Sequence, residues 1–81
     1  MEMTLEELGR TLAEVNNKAP RKKLVVWINL FGIQFHEDIR RYGSKAVIEK
    51  SGINASYFAE LNKGMNLAEY VKLNEPFSPG S

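Results

Sequence analysis

The chain has 81 residues, no cysteine, a formal net charge of +1, 43% hydrophobic residues and 26% charged residues. That length gives one small domain with a modest core. The absence of thiols excludes disulfide frameworks and thiolate metal sites, and a near-neutral total charge gives no global field that would announce nucleic acid or membrane. No apolar run approaches the ~20 residues of a membrane span. The start, MEMTLEELGR, is acidic and amphipathic rather than basic then apolar, so no secretory signal is read there and a cytoplasmic protein is the expectation.

The charge is unevenly placed. Residues 1–17 are net −3, residues 18–50 are net +5 and residues 51–81 are net −1. A basic middle behind an acidic arm points to an anionic partner, or to the arm lying against its own basic segment.

In chain order, Thr4 and Glu7 have capping-box spacing. Leu5, Leu8, Leu12 and Val15 then recur at 3, 4 and 3, one narrow helical stripe that could pack on the domain or pair with a second copy. Gly9 weakens this helix by about 1 kcal/mol relative to Ala. Residues 1–19 are read as this amphipathic helix and a linker, 20–74 as a helical domain, and 75–81 as a flexible tail.

Residues 20–43 allow two readings. Leu24 to Ile28 have the composition of a strand. Yet Leu24, Ile28, Phe31, Phe35, Ile39 and Tyr42 recur at 4, 3, 4, 4 and 3, with Val26, Leu30 and Ile33 flanking the same face. The periodicity favours one long, buried helix bent near Gly32, starting near Pro20, closing with Arg40 and Arg41 and stopping at Gly43. A strand at 23–30 is the alternative. Trp27 is expected in the core. Arg21, Lys22 and Lys23 oppose the macrodipole of such a helix and need another partner, the acidic first helix or DNA.

Three short helices are expected next. Ser44 caps one running to about Ser51; Gly52 turns the chain; Asn54 caps a second, closed by Gly64; Asn66 caps a third, to about Leu73. The fold class is therefore all-α, a bundle of about five helices containing a helix-turn-helix-like unit, with α+β as the alternative.

The inventory for catalysis is thin. There is one histidine, and His36, Glu37 and Asp38 diverge on a helix, so they do not converge as a metal site. No phosphate loop, paired catalytic carboxylates or nucleophile elbow is present. No catalytic residue, metal, cofactor or small-molecule substrate is expected.

The stretch from Val47 to Gly64, VIEKSGINASYFAELNKG, has the content of a helix-turn-helix. Val47, Ile48, Ile53, Phe58 and Leu61 are the residues expected to lock two helices together, which leaves Ala55, Ser56, Ala59, Asn62 and Lys63 facing outward, where a DNA reader meets base edges and phosphates. Through Glu49, Lys50, Gly52, Ile53, Asn54, Ser56, Tyr57, Leu61 and Gly64 it resembles, without a gap, the core of phage-repressor-like (Cro/repressor type) regulators. Residues Leu30 to Ile33 together with Tyr57 to Leu73 resemble small bacterial and phage HTH-like proteins of mostly uncharacterised role. The resemblance implies DNA binding, transcriptional regulation and a homodimer. It departs from the repressor pattern at Ile48, where a small residue is usual, and in its short flanks, which implies a variant of that fold.

The candidate DNA contacts are Arg40, Arg41, Lys45, Lys50, Asn54, Ala55, Ser56, Ala59, Asn62 and Lys63. The second helix carries no arginine, the chief bidentate reader of guanine. The competing reading is a non-enzymatic protein-interaction module that uses the fold only structurally.

Overall fold

The computed structural model describes residues 2–74 and Phe77. Five α-helices lie among them: α1 (Leu5–Lys18), α2 (Leu24–Gln34), α3 (His36–Tyr42), α4 (Ser44–Ser51) and α5 (Phe58–Leu67). Short 3₁₀ turns at Arg21–Lys23 and Ala55–Tyr57 lead into α2 and α5. The all-α expectation holds, and 23–30 is helical rather than a strand. Of the tail read at 75–81, residues 75, 76 and 78–81 fall outside the described residues.

Helix α1 starts as its sequence dictates. Thr4 Oγ1 accepts from the Glu7 amide at 3.1 Å and Glu7 Oε1 accepts from the Thr4 amide at 2.8 Å. Hydrogen bonding from the Thr4 backbone, then from its side chain, holds the Glu7 carboxyl below its ordinary value. The stripe Leu8, Leu12 and Val15 is fully buried. It packs in cis, chiefly on α4 and secondarily on α2. Gly9 is a contact rather than a flaw: a Cβ there would stand 2.7 Å from Lys50 Cγ and 3.0 Å from the Lys50 carbonyl carbon.

The segment read as one helix over 20–42 is two. The break falls at Phe35 (φ −111°, ψ 23°), not at Gly32. Gly32 stays helical because it is pressed against α5, while Phe35 turns the chain with its ring 5.1 Å from that of Phe31. His36 Nδ1 lies 3.0 Å from the Ile33 carbonyl across the break, and Glu37 and Asp38 then sit in the first turn of α3, where the helix dipole favours them. Ile28, Phe31 and Ile39 are buried as the periodicity requires, but Val25 and Val26 are about half exposed, so Val26 does not join the buried face. Trp27 is half-buried and meets Phe77 edge-on, with centroids 5.5 Å apart. Arg21, Lys22 and Lys23 are exposed and make no ion pair with α1 among the described residues.

Three expectations for the C-terminal half are corrected. Gly43, at φ 94°, rather than Ser44, precedes the first residue of α4. Gly64 does not close α5, and Asn66 caps no further helix: α5 runs to Leu67 and a turn over 68–70 follows. The physical reason is packing. Gly64 is buried where α5 crosses α2, and a Cβ there would collide with the Asn29 carbonyl oxygen; a Cβ on Gly32 would stand 2.8 Å from the Leu61 carbonyl and 3.1 Å from the Met65 amide. The two glycines let α2 and α5 meet backbone to backbone, and this is the most extensive helix contact in the fold. No helix among the described residues is long and apolar enough to cross a membrane.

Gly64→Ala tests that contact. Alanine favours an isolated helix by about 1 kcal/mol, but overpacking against a backbone carbonyl outweighs it, at about 1–3 kcal/mol net of relaxation. Urea denaturation of the variant is expected to show lower stability than the parent; equal or higher stability would mean that the helices separate freely.

Candidate nucleic-acid interface

The turn between α4 and α5 is built from short-range bonds. Gly52 adopts φ 77°, a left-handed conformation that glycine enters without the Cβ penalty, and its amide reaches the Ile48 and Glu49 carbonyls at 3.2 and 3.3 Å. Ser51 Oγ donates to the Ile48 carbonyl at 2.7 Å and accepts from the Ile53 amide at 3.2 Å, stitching both sides of the turn. Asn54 Oδ1 accepts from the Ser56 amide at 2.8 Å and so caps the 3₁₀ turn into α5.

Val47, Ile48 and Leu61 are buried and Ile53 is half-buried, as the motif requires. Phe58 departs from the expectation: it is 39% exposed, and Tyr57 takes its place against the core. On α5 the inward stripe is Tyr57, Leu61, Gly64, Met65 and Ala68, spaced 4, 3, 1 and 3. Phe58 lies off its edge. That stripe is present in the sequence and includes Gly64, but reading the glycine as a terminator hides it. Each helix of the motif packs chiefly on a helix outside it: α4 on α1, and α5 on α2. Ile48, where the repressor pattern has a small residue, is 4% exposed.

The candidate residues separate into groups. Ala55, Ser56 and Ala59 are exposed on the outer face at the start of α5. Lys45 joins them, lining one groove with Ile48, Glu49, Ala55 and Phe58. Phe58 also lines a second groove, shared with Ala59, Asn62, Lys63, Asn66, Leu67 and Tyr70, so the two grooves adjoin at its ring. Asn62 is half-buried, and its Oδ1 accepts from Ser44 Oγ at 2.8 Å, tying α5 to the start of α4. The Lys63 ammonium lies 3.4 Å from Glu60 Oε2 without the alignment of a hydrogen bond.

Lys50 and Arg41 turn toward the N-terminal arm instead. Lys50 Nζ is 3.9 Å from Glu6, its stem lying against Gly9. Arg41 is 3.1 Å from Asp38 and 3.4 Å from Glu2. Desolvation opposes its charge, but Glu2, then the hydrogen bonds and Asp38, outweigh this and leave the guanidinium pKa raised. The arm is further fixed by Tyr42 Oη donating to the Met3 carbonyl at 2.9 Å, a contact unseen in the sequence because 39 residues separate the partners. Arg40 is exposed and makes no ion pair among the described residues. The structure thus groups Lys45, Ala55, Ala59, Asn62 and Lys63 around Phe58, leaves Ser56 exposed beside Ala55, and directs Lys50 and Arg41 to the acidic arm.

The profile of the HTH-like domain family matches residues 4–74, and the chain belongs to that family. No curated protein and no solved structure matches it.

Asn54→Ala removes the cap of the turn into α5. It is expected to lower stability by about 1 kcal/mol, measured by urea denaturation. An unchanged midpoint would show that the Ser56 amide finds water at no cost.

Proposed function

We propose that this HTH-like domain binds double-stranded DNA, with α5 as the helix presented to the major groove, and acts as a transcriptional regulator without enzymatic activity. The observation that carries the reading is the outward projection of Ala55, Ser56 and Ala59 at the start of α5, flanked by Lys45 and Lys63, while the opposite face is anchored on α2. A recognition helix needs that arrangement, because its N-terminal residues meet base edges while cations beside it meet phosphates. The likeness of Val47–Gly64 to the phage-repressor type supports the same reading.

On this reading the phosphate contacts fall to Lys45 and to Arg40 at the end of α3, with Lys63 a weaker third because Glu60 stands 3.4 Å from its ammonium. Two or three cations give weak binding per domain. A homodimer on a two-fold site fits that weakness, since pairing doubles the cations engaged. A protein-interaction role remains the second reading. It is favoured by the apolar residues of the second groove, where Leu67 is 41% and Tyr70 83% exposed.

Fluorescence anisotropy with a random duplex tests the proposal. Affinity is expected to fall with salt with a log–log slope of about −0.9 per cation engaged, hence about −2 to −3 per domain. The double variant Lys45→Glu, Lys63→Glu is expected to abolish binding with its circular dichroism unchanged. Absence of binding by the parent at about 50 mM salt, where counterion release favours it most, would overturn the proposal.

A further inference from the structure

Phe58 is exposed where the sequence predicts a core residue, and it stands in the middle of the presented face. Ala55 lines one groove with it and Ala59 the other. Two amide oxygens of this face are committed within the protein: Asn54 Oδ1 accepts from the Ser56 amide and Asn62 Oδ1 from Ser44 Oγ. From Asn54 to Leu67 there is no arginine or glutamine. Beside the Ser56 hydroxyl and the Asn66 amide, the face offers a base edge an apolar cluster of two alanine methyls and an aromatic ring.

We infer that Ala55, Phe58 and Ala59 read the 5-methyl group of a major-groove pyrimidine. The inference rests on the DNA reading and names what that surface recognises. In the major groove, thymine alone among the four bases presents an apolar group, and alanine and phenylalanine are residues that pack on it. Guanine and cytosine present only acceptors and an amine there, and an apolar face pressed on them strips their water without replacing it. Discrimination thus has two sources: favourable packing where a methyl is present, and a desolvation cost where it is missing. 5-Methylcytosine carries the same methyl at the same ring position, so the shared chemistry is the 5-methylpyrimidine.

Four duplexes of equal length test this by anisotropy at one low salt concentration: alternating dA–dT, dA–dU, dG–dC and dG–5-methyl-dC. Replacing dT by dU is expected to weaken binding roughly three- to tenfold, the scale of one or two methyl contacts. A matching gain on methylating dC assigns recognition to any 5-methylpyrimidine; loss at dU without that gain assigns it to thymine. Phe58→Ser is expected to bring the dT/dU ratio close to one while leaving the salt slope unchanged. Should that variant fail to fold by circular dichroism, the exposed double variant Ala55→Asn, Ala59→Asn takes its place, with the dT/dU ratio again expected close to one. Equal affinity of the parent for the dT and dU duplexes overturns the inference and leaves DNA binding standing. A dT/dU ratio that persists in the folded variant overturns the assignment to this face. Failure to bind any duplex overturns the DNA reading and this inference together.

Discussion

The fold depends on one close approach. Where α2 crosses α5, Gly32 and Gly64 remove the side chains that would hold the two backbones apart. A contact at that distance does more than add burial. It fixes the rotation of α5 about its own axis, because only the side of the helix bearing Gly64 fits against Asn29. Once Gly64 points inward, helical geometry decides the rest: Leu61 and Met65 flank it in the core, and Ala59 and Lys63 face away. The candidate interface is thus a consequence of packing on the opposite side of the same helix. The α1–α4 pair repeats the device with Gly9 against the backbone and stem of Lys50.

Electrostatics then select among the cations. The net charge of residues 18–50 suggests a broad basic surface, but the fold does not present it as one. The acidic arm is held by the Tyr42–Met3 hydrogen bond and by the amide of Met3 on Asp38 at 3.3 Å. That placement sets Glu2 beside Arg41 and Glu6 beside Lys50. Both pairs are solvent-exposed, so each contributes little to stability. Their effect on the surface is larger than their effect on stability, because a cation beside a carboxylate attracts phosphate less. Among the described residues the arm thus answers two cations of the basic segment, Arg41 and Lys50.

Local signals are legible in the sequence and close contacts are not. The capping box at Thr4, the α1 stripe, the turn at Gly52 and the Asn54 cap depend on residues two to four apart, and all stand in the structure. Errors arise where a residue type has two physical uses. Glycine ends helices and also admits a neighbouring backbone; at Gly64 and Gly32 the second use operates, and the first predicts a helix end and a bend that do not exist. Phenylalanine is usually buried, so Phe58 is expected inside, although Tyr57 four residues before Leu61 is the one in register. The exposed set Ala55, Ser56 and Ala59 is correctly anticipated in orientation. Its cations cannot be sorted in the same way, since no spacing in the sequence brings Glu2 to Arg41 or Glu6 to Lys50.

The exposed phenylalanine bears on how the two functional readings differ. A structural helix-turn-helix gains nothing from leaving an aromatic ring 39% exposed, since burying the rest would stabilise the domain by roughly 1 kcal/mol. Its position flanking the α4–α5 junction, between Lys45 and Lys63, suits a partner that offers apolar groups set among negative charge. Major-groove DNA has that character, with pyrimidine methyls between two phosphate backbones. A protein partner would need to reproduce it with acidic residues around an apolar anchor. The distinction between the readings therefore lies in what surrounds the apolar contact, rather than in whether one is made. Counterion release is steep for a polyanion, and an isolated pair of exposed carboxylates produces only ordinary screening.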